Sequence, residues 1–364
     1  MKLKIIGAGS IGNHLAYAAR SLDWEVTVCD VDPEALRRMR EEIYPARYGN
    51  WDESIGLYLA DDEPKGGFDL IAIGTPPDTH LPLATAAVSE MPRAVLVEKP
   101  LCRPDLEGAQ DLADLALEKN VMVFTGYDHA VGKAAGIIGE FIYSNQLGRI
   151  QTLDVEFREH WGGIFAAHPW LDGPADSYLG FWQRGGGASG EHSHAIHLWQ
   201  FFAHVAGAGR VVEVQATLDY VMDGSVDYDQ ICLLQLRTEN GLVGRVVQDV
   251  VTQPHRKWAR AQGDLGFAEW HCGNPTGADT VRMDFGEKIE EQVIEKTRPD
   301  DFIQELRHLE TVMNGGNSVE SPLALERGLE TMMVLAAAHR SHQRRRTIHI
   351  DYTVGWSPTA LKEQ

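Results

Sequence analysis

The chain opens with Leu3-Lys4-Ile5-Ile6-Gly7-Ala8-Gly9-Ser10-Ile11-Gly12, the stretch that decides its fold. A short apolar strand pattern runs directly into glycines spaced G-x-G-x-x-G, and a helical pattern of apolar residues follows. In that context the first glycine permits a tight turn, the second lets backbone N–H groups approach a pyrophosphate, and the third lets helix and strand pack closely. The stretch therefore predicts a strand, turn and helix that bind a dinucleotide.

The alternation of strand and helix patterns continues through the first third of the chain. Four more short apolar runs, rich in Val and Ile, are typical of strands buried on both faces. They lie at 26–29, 70–73, 94–97 and 121–124. The order predicts a Rossmann domain over residues 1–124, built on a doubly wound parallel sheet. Residues 51–67 are acidic and poorly periodic, and we predict no structure for them.

After Phe124 the pattern predicts a second, α+β domain over residues 125–350, followed by a C-terminal tail at 351–364. Predicted helices occupy 133–143, 194–205, 302–313 and 323–341. Predicted strands occupy 150–157, 211–220, 231–236, 242–251 and 347–350. An insertion rich in glycine and aromatic residues, 161–187, separates the first two of these strands, and loops of that length usually carry function.

Length and charge narrow the class of protein. The 364 residues are enough for two domains, and the formal charge of 33 − 53 = −20 would repel a nucleic acid backbone. The four cysteines form no C-x-x-C pair, and the sequence contains neither a signal-peptide pattern nor a run of about 18 apolar residues. We expect a cytoplasmic protein that binds neither nucleic acid nor a membrane.

The end of the second strand pattern indicates which dinucleotide binds. Asp30 lies 18 residues after Gly12, where an adenosine ribose would lie. A carboxylate there accepts hydrogen bonds from the ribose hydroxyls and repels a 2′-phosphate, so we predict NAD(H) rather than NADP(H). Asp32 is the alternative ribose ligand, although it can equally cap a helix that begins at Pro33.

Two further strand ends carry unusual residues, Gly74-Thr75-Pro76-Pro77-Asp78-Thr79-His80 and Glu98-Lys99-Pro100. Ligands of open α/β sheets bind outside the carboxyl ends of the strands, so Lys99 is expected to project into the crevice that holds the cofactor. A purely structural lysine is disfavoured here, because the dipole of a following helix repels a cation at its N-terminus.

The glycine motif, residues 75–80 and above all Glu98-Lys99-Pro100 resemble the glucose-fructose oxidoreductase / inositol dehydrogenase family, Gfo/Idh/MocA. The resemblance covers nearly the whole chain. It implies that the α+β domain has a large, open, mostly antiparallel sheet that carries substrate and often mediates oligomerisation, so a homodimer or homotetramer is expected. It also implies reversible oxidation of a hydroxyl on a sugar, inositol or related polyol, with Lys99 matching the family's catalytic lysine.

The second motif of the family is a glycine run followed by Asp and, four residues later, His. Aligning His194 with the family histidine places Gly190 where the aspartate is expected and His197 where a second aspartate often stands. Glu191 can supply the missing carboxylate from the next position, or the pair can be reorganised around Glu191 and His192.

The chemistry of alcohol oxidation explains why a lysine and a histidine should meet. Hydride leaves carbon for the nicotinamide while the hydroxyl proton goes to a base, and a neutral imidazole serves near neutral pH. We predict His194 as that base and Lys99 as the donor to the reacting oxygen.

His194 and His197 share a helix face, but nothing in the sequence completes a tetrahedron of metal ligands around them, and no metal is predicted.

Candidate substrate contacts lie in two segments. Tyr127-Asp128-His129 follows a strand at which the family often has Asn and then Arg, and the segment before the glycine run is crowded with polar and aromatic side chains. Aromatic rings stack on sugars and Arg158 suits a carboxylate or phosphate, although several of the rings can equally be core anchors. The crowded segment contains Arg158, His160, Trp161, His168, Trp170, Tyr178 and Trp182.

These inferences define three groups of residues. The predicted catalytic residues are Lys99, His194 and Glu191. The predicted cofactor-binding residues are Gly7, Gly9, Ser10, Ile11, Gly12, Asp30, Thr75, Pro76, His80, Glu98 and Lys99. The predicted substrate-binding residues are Tyr127, Arg158, Trp161, His168 and His194.

Two other functions remain open: glycoside cleavage or elimination assisted by bound NAD, and a regulator that senses NAD without catalysis.

Overall fold

The structure, a computed structural model, describes residues 1–166, 168, 170–273, 277–286 and 289–364. Within these ranges the chain forms two sheets, with helices on both faces of the first and packed against one face of the second. This is the architecture that the sequence predicts: a doubly wound parallel sheet, then a mostly antiparallel one.

The first sheet is parallel and has the order β3-β2-β1-β4-β5-β6, which is the strand order of a Rossmann fold. Its strands are β1 (Lys2–Ile6), β2 (Glu25–Asp30), β3 (Gly56–Leu59), β4 (Leu70–Ile73), β5 (Ala94–Val97) and β6 (Met122–Thr125). The four residues of β4 and the four of β5 are all buried, as the unbroken apolar runs predict. β3 lies at the sheet edge with two exposed residues, which explains why its sequence shows no strand pattern.

The helices of the first half are α1 (Ser10–Arg20), α2 (Pro33–Arg38), α3 (Tyr44–Tyr48), α4 (His80–Ser89) and α5 (Ala109–Lys119). The helices of the second half are α6 (Lys133–Tyr143), α7 (Trp161–Ala166), α8 (Gly187–Glu191), α9 (His194–Val205), α10 (Arg298–Met313) and α11 (Leu325–Arg344). Although α10 is late in the chain, it packs on α1: the rings of His14 and Phe302 stack with centroids 4.7 Å apart.

The second sheet has the order β14-β13-β12-β11-β7-β10-β9-β8-β15-β16. The strands are β7 (Ile150–Arg158), β8 (Val211–Met222), β9 (Asp227–Thr238), β10 (Val243–Asp249), β11 (Arg256–Gly263), β12 (Phe267–Cys272), β13 (Asp279–Asp284), β14 (Ile289–Ile294), β15 (Ile348–Ile350) and β16 (Leu361–Glu363). Among the strands of the described residues in this sheet, β7 and β10 form the one parallel pair. The sequence did not predict β11 to β14, and β16 lies within the residues expected to form a tail.

One face of the second sheet packs against α9. Leu153, Val155 and Phe157 of β7 point to that face and are almost completely buried. The indole of Trp199 on α9 donates to the Leu153 carbonyl at 2.9 Å. Because α9 begins at His194, this packing fixes the position of His194 relative to the first sheet.

None of the helices in the described ranges combines the length and the apolar content that crossing a bilayer requires.

The tight packing of Gly12 against the Gly7 carbonyl gives a stability prediction. A Cβ at Gly12 would lie 2.0 Å from the Gly7 carbonyl oxygen, whereas a Cβ at Gly9 would meet no atom within 4 Å. We expect Gly12→Ala to lower the free energy of unfolding by about 1–3 kcal/mol, since strand and helix must separate, and Gly9→Ala to cost clearly less. Urea unfolding measures both; equal losses would contradict this account of the turn.

Candidate active site

The glycine turn presents the N-terminus of α1 to open space. Gly7 has a φ of +110°, and its missing Cβ allows the backbone of Gly74 to approach. No atom occupies the volume that a Cβ of Gly9 would enter, so an anion can approach the N–H groups there. These residues fit the pyrophosphate of a dinucleotide. Ser10, in the same turn, is held by Arg47, whose Nη2 donates to its Oγ at 2.9 Å.

Two acidic residues, one at the end of β2 and one just after it, make different contacts. Asp30 accepts from the N–H of Ala8 in the glycine turn at 2.7 Å, which places its carboxylate beside the expected pyrophosphate site. Asp32 accepts from the N–H of Glu34 at 2.9 Å and caps α2. Asp30 also accepts from the N–H of Asp32 through Oδ1 at 2.9 Å, and its role as the ribose ligand stays a prediction.

His80 and Glu98 lie behind the wall of the cleft. The ring of His80 is fully buried, with Nδ1 2.9 Å from the Pro100 carbonyl oxygen and Nε2 2.7 Å from that of Thr75. Burial and the neighbouring Asp128 carboxylate raise the pKa of Glu98 to about 8. The prediction that these two side chains contact the cofactor is therefore corrected: His80 ties the two loops together, and Glu98 is a buried acid beneath them. Thr75 and Pro76 remain at the surface.

The predicted lysine and glutamate meet at the junction of the two sheets. Lys99 follows β5 of the first sheet, and Glu191 ends α8, which belongs to the second. The Lys99 Nζ donates to the Glu191 carbonyl oxygen at 2.9 Å and to its Oε2 at 3.2 Å. Although burial opposes it, the Lys99 ammonium holds the pKa of Glu191 below its usual value. An ammonium has three N–H groups, so one remains for a ligand.

His194 stands beside this pair and faces the first sheet. Its Nδ1 is 3.7 Å from Oδ1 of Asp128, which follows β6. Burial, reinforced by the positive fields of His129 and Lys99, lowers the pKa of His194 well below its usual value. The imidazole is therefore neutral near pH 7, the state in which it can accept a proton.

The aspartate of the family motif has no room at its expected position. A Cβ at Gly190 would lie 2.0 Å from the carbonyl oxygen of Gly185. Glu191 pairs with Lys99 instead of His194, and His192 is buried with its pKa lowered by burial to about 4. His197 is structural, because its Nε2 lies 2.9 Å from the Pro322 carbonyl oxygen. The carboxylate nearest His194 is thus that of Asp128, which the sequence had marked only as a weak substrate contact.

Two predicted substrate contacts do not reach the cleft. Tyr127 is completely buried, and its ring stacks on His197 with centroids 4.2 Å apart. The Phe157 ring contacts His194, so Arg158, the next residue of the strand, points to the opposite face, where its Nε donates to Asp249 at 2.5 Å. Both predictions are corrected: Tyr127 is a core residue, and Arg158 belongs to the outer face of the second sheet.

The insertion at 161–187 lies against the cofactor loops. Arg184 donates through Nε to Oδ2 of Asp78 at 2.7 Å. Gly185, with a φ of +91°, packs where a Cβ would lie 2.8 Å from Cβ of Pro77. These contacts, which the sequence did not predict, hold the insertion over the ends of β4 and β5.

The predicted aromatic residues of the insertion have mixed roles. The ring of Trp161 packs on Phe165 and Tyr228 in a small apolar cluster, so it anchors the insertion. Trp182 stacks on His339 with centroids 4.4 Å apart. Nδ1 of His168 lies 2.8 Å from the Ile164 carbonyl oxygen, and its ring packs edge-on against Trp170, so its contact with a ligand stays a prediction.

Family models match both halves of the chain. Residues 1–127 match the model of the Gfo/Idh/MocA oxidoreductase family with an NAD-binding Rossmann fold. Residues 138–269 match the C-terminal domain model of the same family. No curated protein matches the sequence closely enough to be compared with it.

Several solved structures share the fold over nearly their full length. A putative myo-inositol dehydrogenase from Sinorhizobium meliloti 1021 is 19% identical, with 96% of this chain and 99% of that chain covered and a TM-score of 0.74. Aldose-aldose oxidoreductase from Caulobacter crescentus, complexed with glycerol, is 18% identical, with coverages of 96% and 99% and a TM-score of 0.75. WlbA dehydrogenase from Bordetella pertussis, in complex with NADH and UDP-GlcNAcA, is 20% identical, with coverages of 96% and 98% and a TM-score of 0.70.

The crowding at Gly190 predicts the result of restoring the family aspartate. We expect Gly190→Asp to lower the thermal midpoint, because its Cβ would overlap the Gly185 carbonyl and displace α8. Gly136→Ala on α6 is the matched control, since a Cβ there meets no atom within 4 Å and alanine favours a helix. A midpoint for Gly190→Asp equal to that of the unaltered protein would show that α8 packs differently.

Proposed function

Because this chain belongs to the Gfo/Idh/MocA family of NAD-dependent oxidoreductases, we propose that it transfers a hydride between NAD and a sugar, sugar derivative or cyclitol, at a secondary hydroxyl or keto group. The observation that carries the proposal is the contact between Lys99 and Glu191 beside His194. Residues from both sheets converge there, at the edge where the cofactor loops end. A protein that only stored or sensed the dinucleotide would not need this pairing.

Each side chain has a defined task in the proposed reaction. NAD, when bound, supplies the hydride acceptor. Lys99 donates a hydrogen bond to the reacting oxygen and stabilises its negative charge as the proton leaves. His194 accepts that proton, for which its buried, neutral imidazole is suited. Glu191 holds the ammonium of Lys99 in place through two contacts.

The substrate class is supported by the names of the relatives and by the wall of the cleft. The three structures compared above are described as acting on, or holding, an inositol, an aldose, glycerol or a nucleotide sugar acid. The insertion carries the ring pair His168 and Trp170, with centroids 5.4 Å apart, and aromatic rings pack on the C–H faces of sugars.

Replacing the lysine tests the proposal. We expect Lys99→Met to lower turnover on the order of 10³-fold, because the donor to the reacting oxygen is lost. The dissociation constant for NAD should change little, since Asp30 and the glycine turn are untouched. Turnover is measured from the absorbance of reduced nicotinamide with a panel of polyols and sugars.

Lys119→Met is the matched control, because Lys119 is a surface residue of α5 that binds Glu118. Its turnover should equal that of the unaltered enzyme. Unchanged turnover in Lys99→Met would reject the assignment of Lys99, and no reduction of NAD with any polyol would reject the reaction class.

The lowered pKa of His194 predicts the pH dependence of oxidation. The folded imidazole stays neutral below its ordinary pKa of about 6.5, so it can accept a proton at pH values at which an exposed histidine is already charged. We expect kcat/KM for alcohol oxidation to keep its plateau down through pH 6.5 and to fall only at lower pH. An acid limb centred at or above 6.5 would contradict the burial of this base; the NAD dissociation constant at each pH is the control.

A further inference from the structure

We propose that Asp128, which comes from the first-domain side of the cleft, is the positioning residue that fixes the tautomer of His194. The proposal rests on the proposed function and names a carboxylate in place of the family aspartate that Gly190 lacks. Asp128 touches no reacting atom in this scheme; it acts through the imidazole.

The two side chains face each other with unused polar atoms. Oδ1 of Asp128 and Nδ1 of His194 are 3.7 Å apart, and within the part of the chain that the structure describes neither atom has a hydrogen-bond partner. Both atoms are buried from water. A buried polar atom without a partner is costly, so a shift of under about 1 Å that joins these two is favoured, and catalytic hydrogen bonds often tighten when a ligand binds.

The packing around the imidazole decides which nitrogen faces a ligand. The ring of His194 is held by Tyr127, His129 and Phe157, at centroid distances of 5.5, 4.7 and 6.3 Å. The side chain keeps 14% of its exposure, while Nδ1 itself is buried. Nε2 is therefore the nitrogen available to the substrate.

This arrangement requires one tautomer. In the neutral imidazole with the proton on Nδ1, Nδ1–H donates to the Asp128 carboxylate and Nε2 carries a free lone pair. The hydroxyl proton of the substrate then moves to Nε2, the O–H bond breaks as the N–H bond forms, and the carboxylate stabilises the imidazolium. Glu191 is occupied by Lys99 and cannot take this position.

The surrounding charges favour a proton over a metal ion between these groups. Asp128, His129 and His194 offer ligand atoms within 4.8 Å of one another, a spacing that a divalent cation can bridge. Burial raises the pKa of Asp128, and the neighbouring cations Arg298, Lys296 and Lys99 oppose that shift. Lys257 also acts on His129 and His194. The negative groups nearest to them are Glu98, Asp301 and Glu305.

These three acidic residues do not place three free negative charges beside His194. Glu305 is completely buried with neither oxygen hydrogen-bonded among the described residues, and burial raises its pKa well above normal, so it is neutral. Asp301 is engaged by Lys296 at 3.2 Å. The field at His194 thus opposes a dication and suits a histidine and carboxylate that share one proton.

Two substitutions at Asp128 separate positioning from simple structure. In Asp128→Asn the amide NH₂ donates to Nδ1 and drives the proton to Nε2, so the base is blocked; turnover should fall on the order of 10⁴-fold. In Asp128→Ala the ring is free to take either tautomer, and turnover should fall at least tenfold less than in Asp128→Asn. Added formate should restore turnover to Asp128→Ala and leave Asp128→Asn unchanged. A merely structural aspartate would give the reverse order, because asparagine preserves its shape.

Asp301 is the matched control because it is a buried carboxylate near the same cluster. Within the described ranges it bonds to Lys296 and to no histidine nitrogen. Asp301→Asn should retain at least the turnover of Asp301→Ala, and formate should rescue neither.

A spectroscopic readout keeps the two proposals distinguishable. ¹⁵N spectra of the histidine side chains, with His194 assigned from His194→Gln, should show the proton of His194 on Nδ1 in the unaltered protein and on Nε2 in Asp128→Asn. If the unaltered protein oxidises no polyol, the proposed function fails, and these spectra still decide the role of Asp128. An unchanged tautomer in Asp128→Asn, turnover of Asp128→Asn equal to or above that of Asp128→Ala, or activity that a chelator abolishes and zinc restores would each overturn the proposal.

Discussion

The contact of Lys99 with Glu191 is the constraint on which the site depends, because it joins the ends of two separate sheets at one point. The ammonium is at the end of a fully buried parallel strand, and the carboxylate is at the end of a five-residue helix. Neither group is fully exposed, so water screens their attraction only in part. Any displacement of one sheet against the other would separate them, and the geometry of the cleft follows from their closeness.

The short helix that carries Glu191 is itself held by a buried polar network. The Ser189 N–H and Oγ both bind the Asp229 carboxylate, and Ser189 Oγ is 3.1 Å from Nε2 of His339. Gly187 allows this approach, since a Cβ there would lie 2.1 Å from Asp229 Oδ1. Asp229 is fully buried, and burial raises its pKa to about 7. The glycine run of the motif therefore serves close packing, and it positions a helix too short to be stable alone.

Each of the two residue pairs in this site joins one residue beside the first sheet to one residue beside the second. Lys99 and Asp128 follow strands β5 and β6 of the first sheet, while Glu191 and His194 lie on the helices α8 and α9 that pack against the second. Each partner pair spans the cleft, so the acid–base groups are assembled only when both sheets are in place. Such an arrangement makes proton transfer depend on the fit between the domains as well as on the residues themselves.

The sequence alone determined the parallel sheet and the glycine turn, because buried strands and tight turns leave local patterns of residue type. Spacing made Asp30 a candidate, and the family resemblance made Lys99 and His194 candidates. Tertiary structure decided what local pattern does not encode: that α10 packs on the first domain, that Arg158 faces away from the cleft, and that Gly190 cannot carry a side chain. Edge strands such as β3 and β14 are largely exposed, so they lack the apolar spacing that reveals a strand. The neighbour of His194 was equally hidden, since Asp128 is 66 positions away in the chain and only the packing of the two sheets brings their atoms to 3.7 Å.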